Sequence, residues 1–458
     1  MARKADRDLI LNGNLTNAIL TLAVPIVLNS FIQTMYNLTD TYWLGKLGTN
    51  QMAAITLVSP VQNIVLNFGA GITTAGAILI SQYLGAKEDE QANDMANHIY
   101  LCSMLFAIIC CVSVFFTTPS IVTWLGADTD VFAYSVRYLQ IVILDMPLLF
   151  TINMYTAVNQ SQGDTVRPML LNLFGVVLNL IMDPLFIVVF HWGVTGAALA
   201  TFIAKIPCAI IAIIILFNPQ KSICLNYRSF SFQKEKLSSI IKVGLPTAIG
   251  GSTMQLGFLL MTKNVYKYGS IAVAAYGIGN KINGLITLPS NAMGSATSTI
   301  VGQNVGANQH DRADKGYKIA RNIAVVFLAI CGFILSRHFI ARPIVSIFSD
   351  DEQVIAYATD FLSLMAICCW TNGIYNATMG LFQGSGHTLV TMAVDVSRLW
   401  VFRFLTLYIC ESVLNMGVES IWWSVVTSNA ISALILYLLY LTNMWRKVTV
   451  KIKRTANA

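Results

Sequence analysis

The chain has 458 residues, 55% of them hydrophobic and 11% charged, with a mean hydropathy of +0.64. Soluble domains carry about 25% charged residues, so this composition excludes a soluble globular protein and specifies an integral membrane protein. The net charge of +7 would suit a nucleic-acid partner in a soluble chain. Here Lys and Arg lie in short loops and tails beside apolar runs, where they act as topology signals and argue against nucleic acid.

In chain order, the first 14 residues, "MARKADRDLILNGN", are too polar for a secretory leader. Apolar runs long enough to cross the hydrocarbon as helices follow at about 15–45, 52–84, 95–118, 131–159, 168–190 and 194–217. A polar linker spans 218–237, and a second set covers 238–266, 271–304, 317–341, 353–383, 389–411 and 417–444, before a basic tail over 445–458. None alternates like a barrel strand. Basic residues cluster at Arg3, Lys4 and Arg7, at Lys221, Arg228, Lys234 and Lys236, around 312–321, and from Arg446 to Arg454. The positive-inside rule then puts both termini and the linker in the cytoplasm, as an even number of spans requires. The nine cysteines sit mostly inside apolar runs without zinc-like spacing and read as small hydrophobes.

The two sets of spans repeat one another. A shift of 221 residues pairs Pro25 with Pro246, Gly48 with Gly269 and Gln82 with Gln303, so that "SQYLGAKEDEQA" answers "GQNVGANQHDRA". Further on, a shift of 223 pairs "GDT" at 163–165 with "GHT" at 386–388. Six spans return the chain to the side on which it started. The expected fold is therefore all-α: twelve transmembrane helices in two six-helix lobes, residues 15–217 and 238–444, related by a pseudo-two-fold axis along the membrane normal, with a substrate cleft between them.

Buried polar residues break the symmetry. At shifts of 221, 223 and 224, Asp40 falls opposite Met261, Asn179 opposite Phe402, Asp183 opposite Thr406 and Thr201 opposite Val425. Gln33, Tyr36, Asn37 and Asp40 share one face of the first span by helical spacing, and Asn172, Asn179 and Asp183 share one face of the fifth. Asp183 precedes Pro184, which loosens the helical bonding there. An ionised Asp at mid-span costs about 2.5–3.5 kcal/mol on insertion scales, so such acids are expected to be protonated, paired or turned to a watery cavity. Two neighbouring carboxylates titrate as a pair and can load one proton or one monovalent cation. Na⁺ would find its oxygen ligands in Asp40, Asn179, Asp183 and Thr201. Gln33, Tyr36, Asn37, Asn153 and Asn172 are candidates to line the substrate cavity, and Pro25 to hinge the first span. Against these stand ion pairs that merely hold the fold: Asp395 with Arg398 three residues on, and Lys205 with either Asp145 or Asp183.

The segments "GNLTNAILTLAVPIV", "YNLTDTYWLGKLG", "ISQYLGAK", "SQGDTVRPM", "NLIMDPLFI" and "WGVTGAALAT", in this order, resemble the multidrug and toxic compound extrusion (MATE) family over essentially the whole chain. The resemblance implies a two-lobed antiporter of a prokaryotic inner membrane. It would export small organic, often cationic and amphipathic compounds in exchange for H⁺ or Na⁺, as a monomer among membrane lipids and without a bound cofactor. Asp40, Asn179, Asp183 and Thr201 match the N-lobe cation site of the DinF-type branch, and Pro25 matches its proposed bending point. The NorM-type branch is similar in scaffold but uses C-lobe acids, where this chain has Gln255 and Asn372. Rival readings are a flippase for lipid-linked oligosaccharide or peptidoglycan precursors, suggested by Lys263, Lys281, Arg398 and Arg403, and a non-transporting receptor or scaffold. An enzyme is disfavoured, since no HExxH, phosphate loop or nucleophile with a His and acid partner is present.

Overall fold

A computed structural model describes residues 7–45, 47–227 and 230–447; Arg3, Lys4, Arg228 and the basic tail from 448 onward lie outside the described residues. Helices stand at all twelve expected positions. They are α1 (Leu15–Gly45), α2 (Thr49–Gly85), α3 (Asp89–Trp124), α4 (Thr129–Ser161), α5 (Val166–Val189) and α6 (Gly193–Leu216). The second set is α7 (Lys234–Tyr266), α8 (Gly269–Gly306), α9 (His310–Leu335), α10 (Glu352–Cys368 with Trp370–Gly384, bent by 55°), α11 (388–413) and α12 (Glu419–Leu441). No strand occurs among the described residues. Eight of these helices are long and apolar enough to cross a membrane by composition alone, and α10 makes a ninth if its two arms form one span. The remaining three, α7, α8 and α11, are comparably long but too polar to qualify on that measure. Apolar side chains such as Phe116, Ile214 and Phe333 stand exposed on the outer faces, as a multi-pass membrane protein requires.

The repeat is written into the backbone. Left-handed residues recur in pairs: Gly48 (φ 103°) with Gly269 (φ 89°), Lys87 (62°) with Asn308 (60°), Gly163 (83°) with Gly386 (86°), and His191 (55°) with Asn415 (52°). These pairs lie 221, 221, 223 and 224 residues apart. The last step, from 223 to 224, has a local cause. A π-helical stretch over Arg398–Arg403 in α11 takes up one extra residue and has no counterpart in α5, whereas the π turns Leu185–Val189 and Ile409–Val413 answer one another.

Two compact units result among the described residues, one built on Pro25–Ala248, the other on Asp8–Val24 and residues 249–447. These limits differ from halves drawn at 15–217 and 238–444. Residues 15–24 pack with the second unit and 234–248 with the first, because apolar length marks a span but not its neighbours. The division falls at Pro25 in α1 and just past its repeat mate Pro246 in α7, although both helices run unbroken through their prolines.

Within the first unit, α2 and α7 touch backbone to backbone: a Cβ at Gly71 would come within 2.6 Å of the Gly244 carbonyl oxygen. The linker after α6 is strapped to the start of α3, where Asn93 Oδ1 accepts from Cys224 N (2.8 Å), Asn97 Oδ1 from Asn226 N (3.0 Å) and His98 Nε2 from Gln233 N (2.9 Å). Within the second unit, Tyr276, Phe361 and Trp422 form a three-ring cluster, with Phe361 5.6 Å from Tyr276 and 4.4 Å from Trp422, and those two 6.3 Å apart. There Arg312 of α9 also caps the short helix Arg7–Leu11, donating to the carbonyls of Ile10 (3.0 Å) and Gly13 (2.5 Å).

Candidate functional site

A cavity of about 400 Å³ opens in the first unit among α1, α4, α5 and α6. Gln33, Tyr36, Asn153, Asn172, Asn179 and Thr201 all line it. Asn29, one turn before Gln33, joins them and accepts from Asn172 Nδ2 at 3.0 Å. Thr201 Oγ1 is the centre of the polar network: Asn179 Nδ2 donates to it at 3.3 Å, and the Tyr36 hydroxyl stands 3.5 Å away. One hydroxyl on α6 thereby links α1 to α5.

Asp183 lies one turn beyond Asn179 with no solvent exposure, and neither carboxylate oxygen has a hydrogen-bond partner; Asn179 Oδ1 is likewise buried and unpaired. Three oxygens on adjoining turns of one helix are thus buried without a hydrogen bond of normal geometry, the Asn179 side chain being the polar neighbour of Asp183, a costly arrangement unless a proton or cation satisfies it. Asp40, one turn after Tyr36 and half-buried, acts electrostatically on Asp183 and feels Lys205. The donor set of carboxylate, amide and hydroxyl oxygens suits a proton or a hard monovalent cation.

The structure resolves the choice open to Lys205. Its Nζ pairs with Asp145, which is 1% exposed at the break inside α4, so Asp183 is left without an ion-pair partner among the described residues. Asn37, by contrast, is not part of the cavity wall. Asn29, Gln33, Tyr36 and Asp40 form the inward stripe of α1, and Asn37 falls beside it. Tyr138, seven residues before Asp145, was missed by sequence reasoning, although it feels Asp40, Asp145 and Asp183 together. Its signal was that same seven-residue spacing, which keeps two side chains on one helical face.

The π insertion also corrects two repeat pairings. Past it the shift is 224, so Asn179 stands opposite Arg403 rather than Phe402, and Asp183 opposite Leu407 rather than Thr406. No acid of the Asp40 and Asp183 kind has a carboxylate at its mate, and Asp183 has an apolar one. The second unit encloses its own polar cavity of about 480 Å³. Asn372 lines it, whereas Gln255 is exposed. Asp395 and Arg398 pair there at 3.6 Å, as their spacing predicts.

A helical membrane protein made of two parallel repeats, each with a cavity that carries polar side chains on its wall, has the architecture of a secondary transporter. The family model MatE matches residues 25–185 and 246–409, two stretches that begin at the repeat-mate prolines. The chain belongs to the MatE family, which consists of transporters rather than enzymes. Among curated relatives it is 24% identical to "Probable multidrug resistance protein YoeA" of Bacillus subtilis (strain 168), over 93% of each chain. It is 26% identical to "Multidrug export protein MepA" of a Staphylococcus saprophyticus strain, over 91% of this chain and 92% of that one. Among solved structures, "Outward-facing conformation of a multidrug resistance MATE family transporter of the MOP superfamily" superposes with a TM-score of 0.91 at 23% identity, over 96% of this chain and 98% of that chain.

Proposed function

We propose that this protein is an antiporter that exports organic, cationic or amphipathic compounds in exchange for H⁺ or Na⁺, of the DinF-type branch. The driving cation binds at Asp40 and Asp183, with Asn179 and Thr201 as neutral oxygen ligands. The observation that carries the reading is Asp183, fully buried with both oxygens unpaired while Lys205 is committed to Asp145. The names of the curated relatives support the substrate class.

Loading one cation removes one negative charge from the acid pair and alters the bonding between α1 and α5 through Thr201. Gln33, Tyr36, Asn153 and Asn172 then form the part of the wall whose polarity a substrate senses. Pro25, which cannot donate a backbone bond, gives α1 the place to bend. Coupling follows if the cation binds the alternative conformations with different affinity. The protein sits in the cytoplasmic membrane with both termini inside, works as a monomer and needs no cofactor.

The test is transport of a fluorescent organic cation by full-length protein in liposomes under an imposed pH or Na⁺ gradient. Wild type transports under one gradient, and Asp40→Asn and Asp183→Asn each lose at least tenfold of the driven rate while remaining folded. Asp360→Asn, at an exposed acid beside His338, keeps the wild-type rate. Undiminished driven transport by both site variants would refute the proposal.

A further inference from the structure

The second unit's cavity repeats the first with its charge changed. At shifts of 223 and 224, Asn376 replaces Asn153, Asp395 replaces Asn172, Arg398 replaces Gly175, Arg403 replaces Asn179 and Asn429 replaces Lys205; all ten residues line their respective cavities. Among the described residues, the charged groups on the second wall are Asp395, Arg398 and Arg403, so the cavity carries one positive charge in excess.

The two guanidiniums are held differently. Arg398 pairs with Asp395 at 3.6 Å and lies over the Tyr375 ring at 4.5 Å, while the Tyr375 hydroxyl donates to Asp395. Arg398 thus has its counter-charge, although its Nε is buried without a hydrogen-bond partner. Arg403 has none. It is 3% exposed, its Nε donates to Ser428 Oγ at 3.1 Å and its Nη2 to Asn429 Oδ1 at 3.3 Å, and no carboxylate reaches it among the described residues. Neutral oxygens and the Phe258 ring, whose centroid is 5.8 Å from the guanidinium carbon, hold this group, and no anion cancels its charge. A guanidinium offers five N–H donors, of which two are used here. An unpaired buried charge within a membrane span is expensive and marks a functional position, and the planar fork fits a carboxylate or phosphate with two parallel bonds.

We infer that the second-unit cavity is a binding site for the anionic head group, carboxylate or phosphate, of an amphipathic substrate, with Arg403 as its principal contact and Arg398 as a second contact restrained by Asp395. The inference extends the proposed substrates from cations to zwitterions and anions. It depends on the export reading only for what the site is used for, because binding is measured without any gradient.

The experiment compares rhodamine B, which carries a free carboxylate, with its ethyl ester, which has the same xanthene cation, by fluorescence anisotropy on detergent-purified full-length protein at neutral pH. Wild type binds the acid at least tenfold more tightly than the ester, and Arg403→Gln brings the two within twofold while leaving the ester affinity unchanged. Asp395→Asn releases Arg398 and widens the preference for the acid, which tests the site even if Arg403→Gln does not fold. Asp360→Asn, at an exposed acid outside both cavities, leaves the preference intact. Competition by dodecyl phosphate, dodecanoate and dodecanol assigns the source. Stronger competition by the phosphate points to lipid-like head groups and stronger competition by the carboxylate to organic acids, either one supporting the site. Equal affinity of wild type for acid and ester, or an unchanged preference in Arg403→Gln, would overturn it.

Discussion

Asp145 and Asp183 are both buried carboxylates of the first unit, 1% and 0% exposed, but they have opposite surroundings. Asp145 has the Lys205 ammonium against it, and Asp183 has no ion-pair partner among the described residues. Lys205→Met therefore strands a charge at Asp145 and costs about 3–5 kcal/mol, the range for breaking one side of a buried pair. Calorimetry of the detergent-purified protein should show a lowered unfolding midpoint, largely restored in the Lys205→Met, Asp145→Leu double variant. Asp183→Asn should leave the midpoint unchanged or raise it, because it removes an uncompensated charge. The same contrast holds along α1. Tyr36→Phe, which loses the hydroxyl facing Thr201, should depress driven transport severalfold, while Asn37→Ala, off the cavity wall, stays within twofold.

At the level of helices, α8 and α10 cross where side chains are absent. A Cβ on Gly380 would lie 2.1 Å from the Gly294 carbonyl oxygen, which is backbone and cannot swing aside. Gly380→Val should lower stability by about 1–3 kcal/mol or more through overpacking. Gly284→Ala, in the same α8 but with nothing within 4 Å, should be neutral or raise stability by up to about 1 kcal/mol through helix propensity. Paired thermal unfolding curves check both, and equal effects would contradict the account of the crossing. A second element-scale device is the π stretch Arg398–Arg403. One extra residue there rotates the following helix by a register step, bringing Arg403 rather than Phe402 to the cavity wall.

Across the whole molecule, much of this was legible beforehand because membrane solvation leaves few choices. Twelve apolar runs had to be helices, and acids within them had to be compensated. The repeat shifts read from Pro25 and Pro246 or from the two "G-x-T" turns reappear as paired left-handed backbone positions. What escaped was decided by partners or by single-residue geometry. Nothing in "DMP" at 145–147 said that Lys205 would choose Asp145 over Asp183. Asn37 shares a four-residue spacing with Gln33, but the inward stripe follows 29, 33, 36 and 40. The step from 223 to 224 could not be located within α11, so Arg403 was assigned no counterpart. The linker looked like a simple polar connection, yet His98, Asn93 and Asn97 bind it to α3.

If the driving cation binds at Asp40 and Asp183 as proposed, and is exchanged for substrate, then binding of one should expel the other. The most direct measurement is cation release on substrate addition, with detergent-purified full-length protein in weakly buffered solution and a pH indicator, repeated with ²²Na⁺-loaded protein. Wild type should release H⁺ or Na⁺ when an organic cation binds, saturating with the binding curve, and Asp183→Asn should bind the compound and release neither. Binding without release in wild type, or undiminished release in Asp183→Asn, would contradict the account.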